Sequence, residues 1–174
     1  MAKRNSTMTN GDGSSVCLLE LEVALISGPV TQSFFEESPV VTRTVQIRSD
    51  QTLEQLHHVI FKAFNRSDEH MYEFQVGGTR MMDPKARRYV LPMAMEDQAG
   101  GRRPAGTVKR TTIGSLGLEV GEPFAYWFDF GDDWWHQVTV MAIHEDIPRG
   151  RYPKVTQKVG ASPPQYMDWD DEDE

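Results

Sequence analysis

Leu19, Leu21, Val23 and Leu25 alternate with Glu20, Glu22 and Ala24, the period of a strand with one wet face. A loop through Gly28-Pro29 runs to about Pro39. Val41, Arg43, Val45 and Ile47 then give a second strand, with Val41, Val45 and Ile47 on one face. Ser49-Asp50-Gln51-Thr52 announces a helix. Thr52 with Gln55 fits a capping box, in which hydroxyl and amide satisfy backbone donors that a helix start leaves over. Leu53, Leu56, Val59, Ile60, Ala63 and Phe64 fall on one side at about 100° per residue, and Asn65-Arg66-Ser67-Asp68 ends the run. Met71 to Val76 reads as a third strand, broken by Gly77-Gly78. Farther on, Phe124 to Phe130 and Trp134 to Ile143 form a hairpin turning at Gly131-Asp132-Asp133. Glycine is expected to supply positive φ there, and the aspartates turn hydrogen bonds. Tyr126, Phe128 and Phe130 are expected on one face of the first arm, and Trp134, His136, Val138 and Val140 on one face of the second. Two strands, a helix and further strands predict an α+β single domain, a mixed β-sheet packed on one main amphipathic helix.

Charge changes the picture between Arg80 and Arg110. Arg80, Lys85, Arg87, Arg88, Arg102, Arg103, Lys109 and Arg110 stand there against Asp83, Glu96 and Asp97. Gly100-Gly101 and Pro104 mark a flexible centre, so this stretch reads as a long basic loop with one short ordered piece around Tyr89 to Met95. The flanks are polar. Residues 1–15 read as a disordered leader and residues 165–174 as an acidic disordered tail, ending Asp168-Trp169-Asp170-Asp171-Glu172-Asp173-Glu174; the domain is expected over 16–164. With 39% hydrophobic and 10% aromatic residues in 174, a sizeable core is available and wholesale disorder is excluded. No apolar run reaches the roughly 20 residues needed to span a bilayer, and the start lacks a signal-peptide stretch. The single cysteine, Cys17, excludes an internal disulfide and a cysteine zinc cage, and a cytoplasmic setting without membrane contact is expected. The net charge of −8 speaks against bulk coating of nucleic acid while leaving room for a local basic patch.

Phe128 through His136, aromatic-Asp-Phe-Gly-Asp-x-Trp-x-His in pattern, resembles the signature of the plasmid pRiA-type ORF-three-like family. These are proteins of plasmids that also travel as passengers of transposable elements. Thr52-Leu53-x-x-Leu56-His57 with Ala63-Phe64, His70-Met71-Tyr72-x-Phe74, Tyr152-Pro153 and Pro163-Pro164 are similar to further family segments, so the resemblance spans roughly Val16 to Pro164. This chain departs from its relatives at Asn65-Arg66, where they usually carry Gly-Trp. It departs again at Gln165-Tyr166-Met167-Asp168, where they tend to carry Glu-Asp and glycines, and at Ser162, often cysteine. The resemblance implies a β-grasp (ubiquitin)-like element and a mobile-element setting, and it supplies no chemistry.

The residues themselves offer several chemistries. Asp129-Phe130-Gly131 spells the metal-binding triplet of protein kinases, but the phosphate loop and catalytic loop that give it meaning are missing from the sequence. Helical-wheel position puts His57 at the flank of the apolar stripe, about 90° from its centre, and His58 nearly opposite, in solvent. His57, His70 and His136 with Asp132 would make an N/O metal set for a metal-assisted hydrolase of phosphoesters, although no pair has compact ligand spacing. The alternative for these histidines is hydrogen bonding at the core edge. Cys17 reads as a small core residue. Adjacent Trp134 and Trp135 must point to opposite sides of the sheet. The reading favoured by these residues is a non-enzymatic accessory or binding protein without cofactor. Its surface would comprise the aromatic–acidic hairpin (Trp127, Asp129, Asp132, Asp133, Trp134, Trp135, His136) and the basic loop (Arg87, Arg88, Arg102, Arg103). Its partner is a protein or a nucleic acid, and the oligomeric state is left open. The acidic tail is a candidate internal competitor for the basic loop.

Overall fold

The computed structural model describes residues 8–10, 13–96 and 102–168. The expectations placed on Met1 to Thr7, on Gly11 and Asp12, on Gly100-Gly101 and on the tail from Trp169 onward lie outside the described residues. Eight strands form one sheet: β1 (Leu18–Ser27), β2 (Thr42–Arg48), β3 (Tyr72–Val76), β4 (Arg87–Val90), β5 (Gly106–Thr107), β6 (Pro123–Phe128), β7 (Trp134–His144) and β8 (Lys154–Val159). Their order across the sheet is β5-β4-β3-β6-β7-β1-β2-β8. Among the described strands β4 and β5 pair in parallel and the other neighbours antiparallel, so the sheet is mixed. The helices are α1 (Gln32–Glu37), inside the connection expected as a loop, and α2 (Leu53–Ala63).

Period-two alternation builds the central strands as expected. Leu19, Leu21, Val23 and Leu25 of β1 are buried in the core, with Val45 and Ile47 of β2 and Val138 and Val140 of β7. α2 turns Leu53, Leu56, His57, Ile60 and Ala63 inward. Its capping box is present: the Gln55 amide N–H donates to Thr52 Oγ1 (3.2 Å), and the Thr52 N–H donates to Gln55 Oε1 (2.8 Å). Two more first-turn donors are met by backbone, Leu53 N–H by the Thr111 carbonyl and Glu54 N–H by that of Val108. The segment after β5 thus closes a helix end whose amides would otherwise be orphaned.

Three expectations change. The basic stretch is not one long loop: Arg87–Val90 pairs with β3, Gly106–Thr107 follows it, and Pro92–Ala94 is a 3-10 turn. In the hairpin turn, positive φ falls on Asp129 (57°) and Asp133 (54°), not on Gly131. Aspartate tolerates this region because its short side chain bonds the local backbone. Phe130 lies beyond the end of β6 and stacks on Trp127 at 4.1 Å, away from the face shared by Tyr126 and Phe128.

Candidate functional site

The hairpin residues divide between the two faces of the sheet. Trp134 is fully buried in the core, under Gly28, where an added Cβ would run into the indole ring. Trp135, on the opposite face, is 6% exposed and lies parallel to Trp127, with ring centroids 4.8 Å apart. Trp127 Nε1 donates to Asp133 Oδ1 at 2.9 Å. Asp129 is buried, and its Oδ1 accepts from the backbone N–H groups of Gly131 and Asp132. The kinase-like triplet is therefore a turn held by its own aspartate. Among the candidate residues of this hairpin, Asp133 is exposed and Trp127 and Asp132 are half-buried.

His136 is buried, and both of its ring nitrogens are engaged. Nδ1 donates to the Tyr126 carbonyl (3.2 Å), and Nε2 accepts from Arg66 Nη2 (2.7 Å). Burial first, and then the Arg66 charge, hold its pKa well below the usual imidazole value. Arg66 is buried among Phe64, Phe128 and Trp134, whose rings lie within 5.0 Å of its guanidinium carbon. Desolvation lowers its pKa to about 10, and Nη1 is buried without a hydrogen-bond partner among the described residues. At the same corner Gln165 Oε1 accepts from the N–H groups of Ser67 and Asp68, and Tyr166 hydroxyl meets His70 Nε2 at 2.9 Å. His70 also lies 3.5 Å from Asp129 Oδ2. The segment after α2 thus meets β7 through Arg66 and the segment after β8 through Gln165 and Tyr166.

Of the histidines expected to share an ion, His57 and His70 line one groove, whereas His136 is buried with both ring nitrogens engaged by Arg66 and the Tyr126 carbonyl. A different group assembles at the first turns of α2. His57, His58 and Glu69 bring one ligand atom each to within 4.8 Å of one another. His57 Nε2 is 2.9 Å from Glu69 Oε2, and His58 Nδ1 is 3.9 Å from Glu69 Oε1. His57 is stacked on Tyr72 at 3.6 Å, and its Nδ1 is bonded to the Tyr126 hydroxyl at 2.7 Å. Burial, followed by the His58 and Arg66 charges, lowers its pKa to about 3, so the ring is neutral at ordinary pH. Glu54, His70, Met71, Tyr72, Leu91 and Met93 complete the walls of a groove above this group. Sequence spacing hides the set, since Glu69 sits in the loop after the helix; the one signal was the adjacency of His57 and His58 in the sequence.

The outer face of the sheet carries a second concavity. Ile26, Met81, Ala86, Pro123 and Ala125 line an apolar groove of about 310 Å³ with Arg80 at its edge. It adjoins a smaller one of about 290 Å³, lined by Met82, Asp83, Pro84, Arg88 and Arg102, with Gln75 and Ala86 common to both. The basic candidates take separate roles there. Arg88 is held by buried Glu73 (Nη2 to Oε2 2.9 Å), and Arg87 Nη2 lies 3.5 Å from the Leu116 carbonyl. Arg102 and Arg103 are exposed.

Comparison with known proteins adds a lineage. The sequence pattern of the family described as plasmid pRiA4b ORF-3-like protein matches residues 33–168. The uncharacterized protein y4hQ of Sinorhizobium fredii is 24% identical over 127 residues, 73% of this chain. The chain spans 59% of the length of that relative. A crystal structure of a protein of unknown function from Methanosarcina mazei Go1, MM3350, is similar in fold, with a TM-score of 0.63 at 17% identity, covering 86% of this chain and 73% of that one. No helix among the described residues is long and apolar enough to cross a membrane.

Proposed function

The chain belongs to the plasmid pRiA4b ORF-3-like family, and from that premise we propose that it is a non-enzymatic accessory protein of mobile elements that binds an acidic polypeptide segment carrying an apolar anchor. The hairpin serves this role through its outer face, where Ala125 and Gln137 line the groove while the Trp127–Trp135 stack stiffens the sheet beside it. In this reading the β1–β2 hairpin with α2 is the β-grasp-like element, and it acts as scaffold.

The observation that carries the proposal is the pair of adjoining grooves with an apolar floor and an arginine rim. Ile26, Met81 and Met82 are exposed at 49%, 44% and 54% around it, and methionine adapts its shape to varied apolar anchors. Arg80 and Arg102 lie where carboxylates flanking such an anchor would come, and their rim charge would speed encounter more than it deepens affinity. An apolar floor suits a peptide better than single-stranded nucleic acid, which calls for exposed aromatic platforms. The test is fluorescence anisotropy with a labelled peptide of alternating Glu and Leu, beside a labelled oligonucleotide of equal charge. The reading expects peptide binding that is weakened by Ile26→Glu and Met81→Glu, and that becomes less salt-dependent in Arg80→Ala with Arg102→Ala. Preference for the oligonucleotide, or peptide binding indifferent to Ile26→Glu and Met81→Glu, would sink it.

A further inference from the structure

We infer that His57, His58 and Glu69 form a binding site for a divalent transition-metal ion of the zinc type. The ligand chemistry is two imidazoles and a carboxylate, the borderline N/O set that such ions prefer. Bonds of about 2.1 Å to a tetrahedral ion require donor atoms roughly 3.4 Å apart. The observed separations of 2.9 Å (His57 Nε2 to Glu69 Oε2) and 3.9 Å (His58 Nδ1 to Glu69 Oε1) bracket that spacing. Small rotations of the Glu69 and His58 side chains, about half exposed at 53% and 54%, would bring three donors onto one ion.

The surroundings fit an ion as well as the donors do. His57 is fixed by its stack on Tyr72, and the Tyr126 hydroxyl stands at its Nδ1. In the metal-free protein Nε2–H donates to Glu69, and Nδ1 accepts from the tyrosine hydroxyl. With an ion on Nε2, the proton resides on Nδ1 and is donated to the tyrosine oxygen. This is the supporting hydrogen bond that metal-bound histidines commonly make. Glu54, one turn earlier on α2, adds negative charge to the same groove. Three protein donors beside open space leave a coordination position for water or a ligand group. The groove of the proposed peptide site lies on the other face of the sheet, so the two readings stand or fall separately.

The experiment uses the full chain, stripped with chelator and titrated with Zn²⁺ in competition with a chromophoric chelator. Co²⁺ serves as a spectroscopic substitute. One equivalent should bind, and Co²⁺ should show the intense visible bands of a four- or five-coordinate site. His58→Ala and Glu69→Gln, both at exposed side chains, should each weaken binding by at least about tenfold, the loss that even a supporting residue produces. His144→Ala, outside the group, should leave it unchanged. Absence of stoichiometric binding, affinity unaltered in both His58→Ala and Glu69→Gln, or the weak bands of six-coordinate aqueous Co²⁺ would overturn the assignment.

Discussion

Arg66 donates its Nη2 to Nε2 of His136 across 2.7 Å of the buried interior, joining the segment just after α2 to the start of β7. The contact fixes the histidine tautomer, since Nδ1 must then carry the proton it gives to the Tyr126 carbonyl. Arg66→Met leaves that imidazole nitrogen without a donor, and urea unfolding should show a loss of roughly 1–3 kcal/mol. His136→Leu should interact with it in a double-mutant cycle, the second change being milder than the first by about 1 kcal/mol. Strict additivity would mean that the pair is a contact without energetic content.

Arg43 presents a different arrangement. From the buried face of β2 it donates Nε to the Ala63 carbonyl at the end of α2 (2.9 Å), Nη1 to the Val159 carbonyl at the end of β8 (2.9 Å) and Nη2 to Ser162 Oγ (2.8 Å). One planar fork thus ties a helix end, an edge strand and the segment beyond it. Arg43→Lys keeps the charge and loses the fork geometry, so it should be nearly as damaging as Arg43→Met, at roughly 2–4 kcal/mol. Ser162→Ala removes one acceptor and should lower stability by about 1 kcal/mol. Full rescue by lysine would show that charge alone matters.

Acid should destabilise the metal-free protein through its buried imidazoles. Burial lowers the His57 pKa to about 3 and that of His136 well below its ordinary value, whereas the unfolded chain takes these protons near 6.5. Below that pH the unfolded state binds protons that the folded state refuses, so stability falls as pH drops. The loss from His57 begins near 6.5 and is complete only below about 3. At pH 5 one such histidine contributes a loss of roughly 2 kcal/mol. Urea midpoints in the presence of chelator at pH 7.5 and pH 5 measure it. A midpoint unchanged between them contradicts the buried neutral assignment.

Deletion of Asp168 to Glu174 should raise the affinity of the acidic peptide for the outer groove at low salt. The tail holds six acids and Trp169, which is the composition proposed for the partner, and a tether presents it at an effective concentration on the order of millimolar. Anisotropy titrations of the two chains settle the comparison. Equal affinities at low and high salt would remove the tail as a competitor.

The central strands and α2 were legible because each buries one face, and burial writes its period into the sequence. β8 was not, because five of its six residues are exposed and only Val155 is half-buried, so no alternation marks it. β4 and β5 were hidden in a stretch whose arginines read as a solvated loop; Glu73, 15 positions before Arg88, takes the Arg88 charge where Arg87–Val90 lies down beside β3. Arg43 was read only as a strand position, since an arginine on a buried face is rare unless its donors are all met. The aromatic hairpin was found with its boundaries nearly right, yet much of it is buried: Trp134 in the core, Trp135 and His136 beneath neighbours. Composition marks such residues as special without saying which side of the sheet they occupy. The His57–His58–Glu69 group depends on the path of the loop after α2, which no local pattern encodes.

The stacked indoles of Trp127 and Trp135, their planes tilted only 6° from one another, form a coupled pair of chromophores. Coupling splits their transitions, and rotation of one dipole against the other within the stacked planes makes the doublet visible in circular dichroism. The protein therefore carries an intrinsic optical gauge on the face where a partner would settle, and any sliding of β6 past β7 would be legible without attaching a dye.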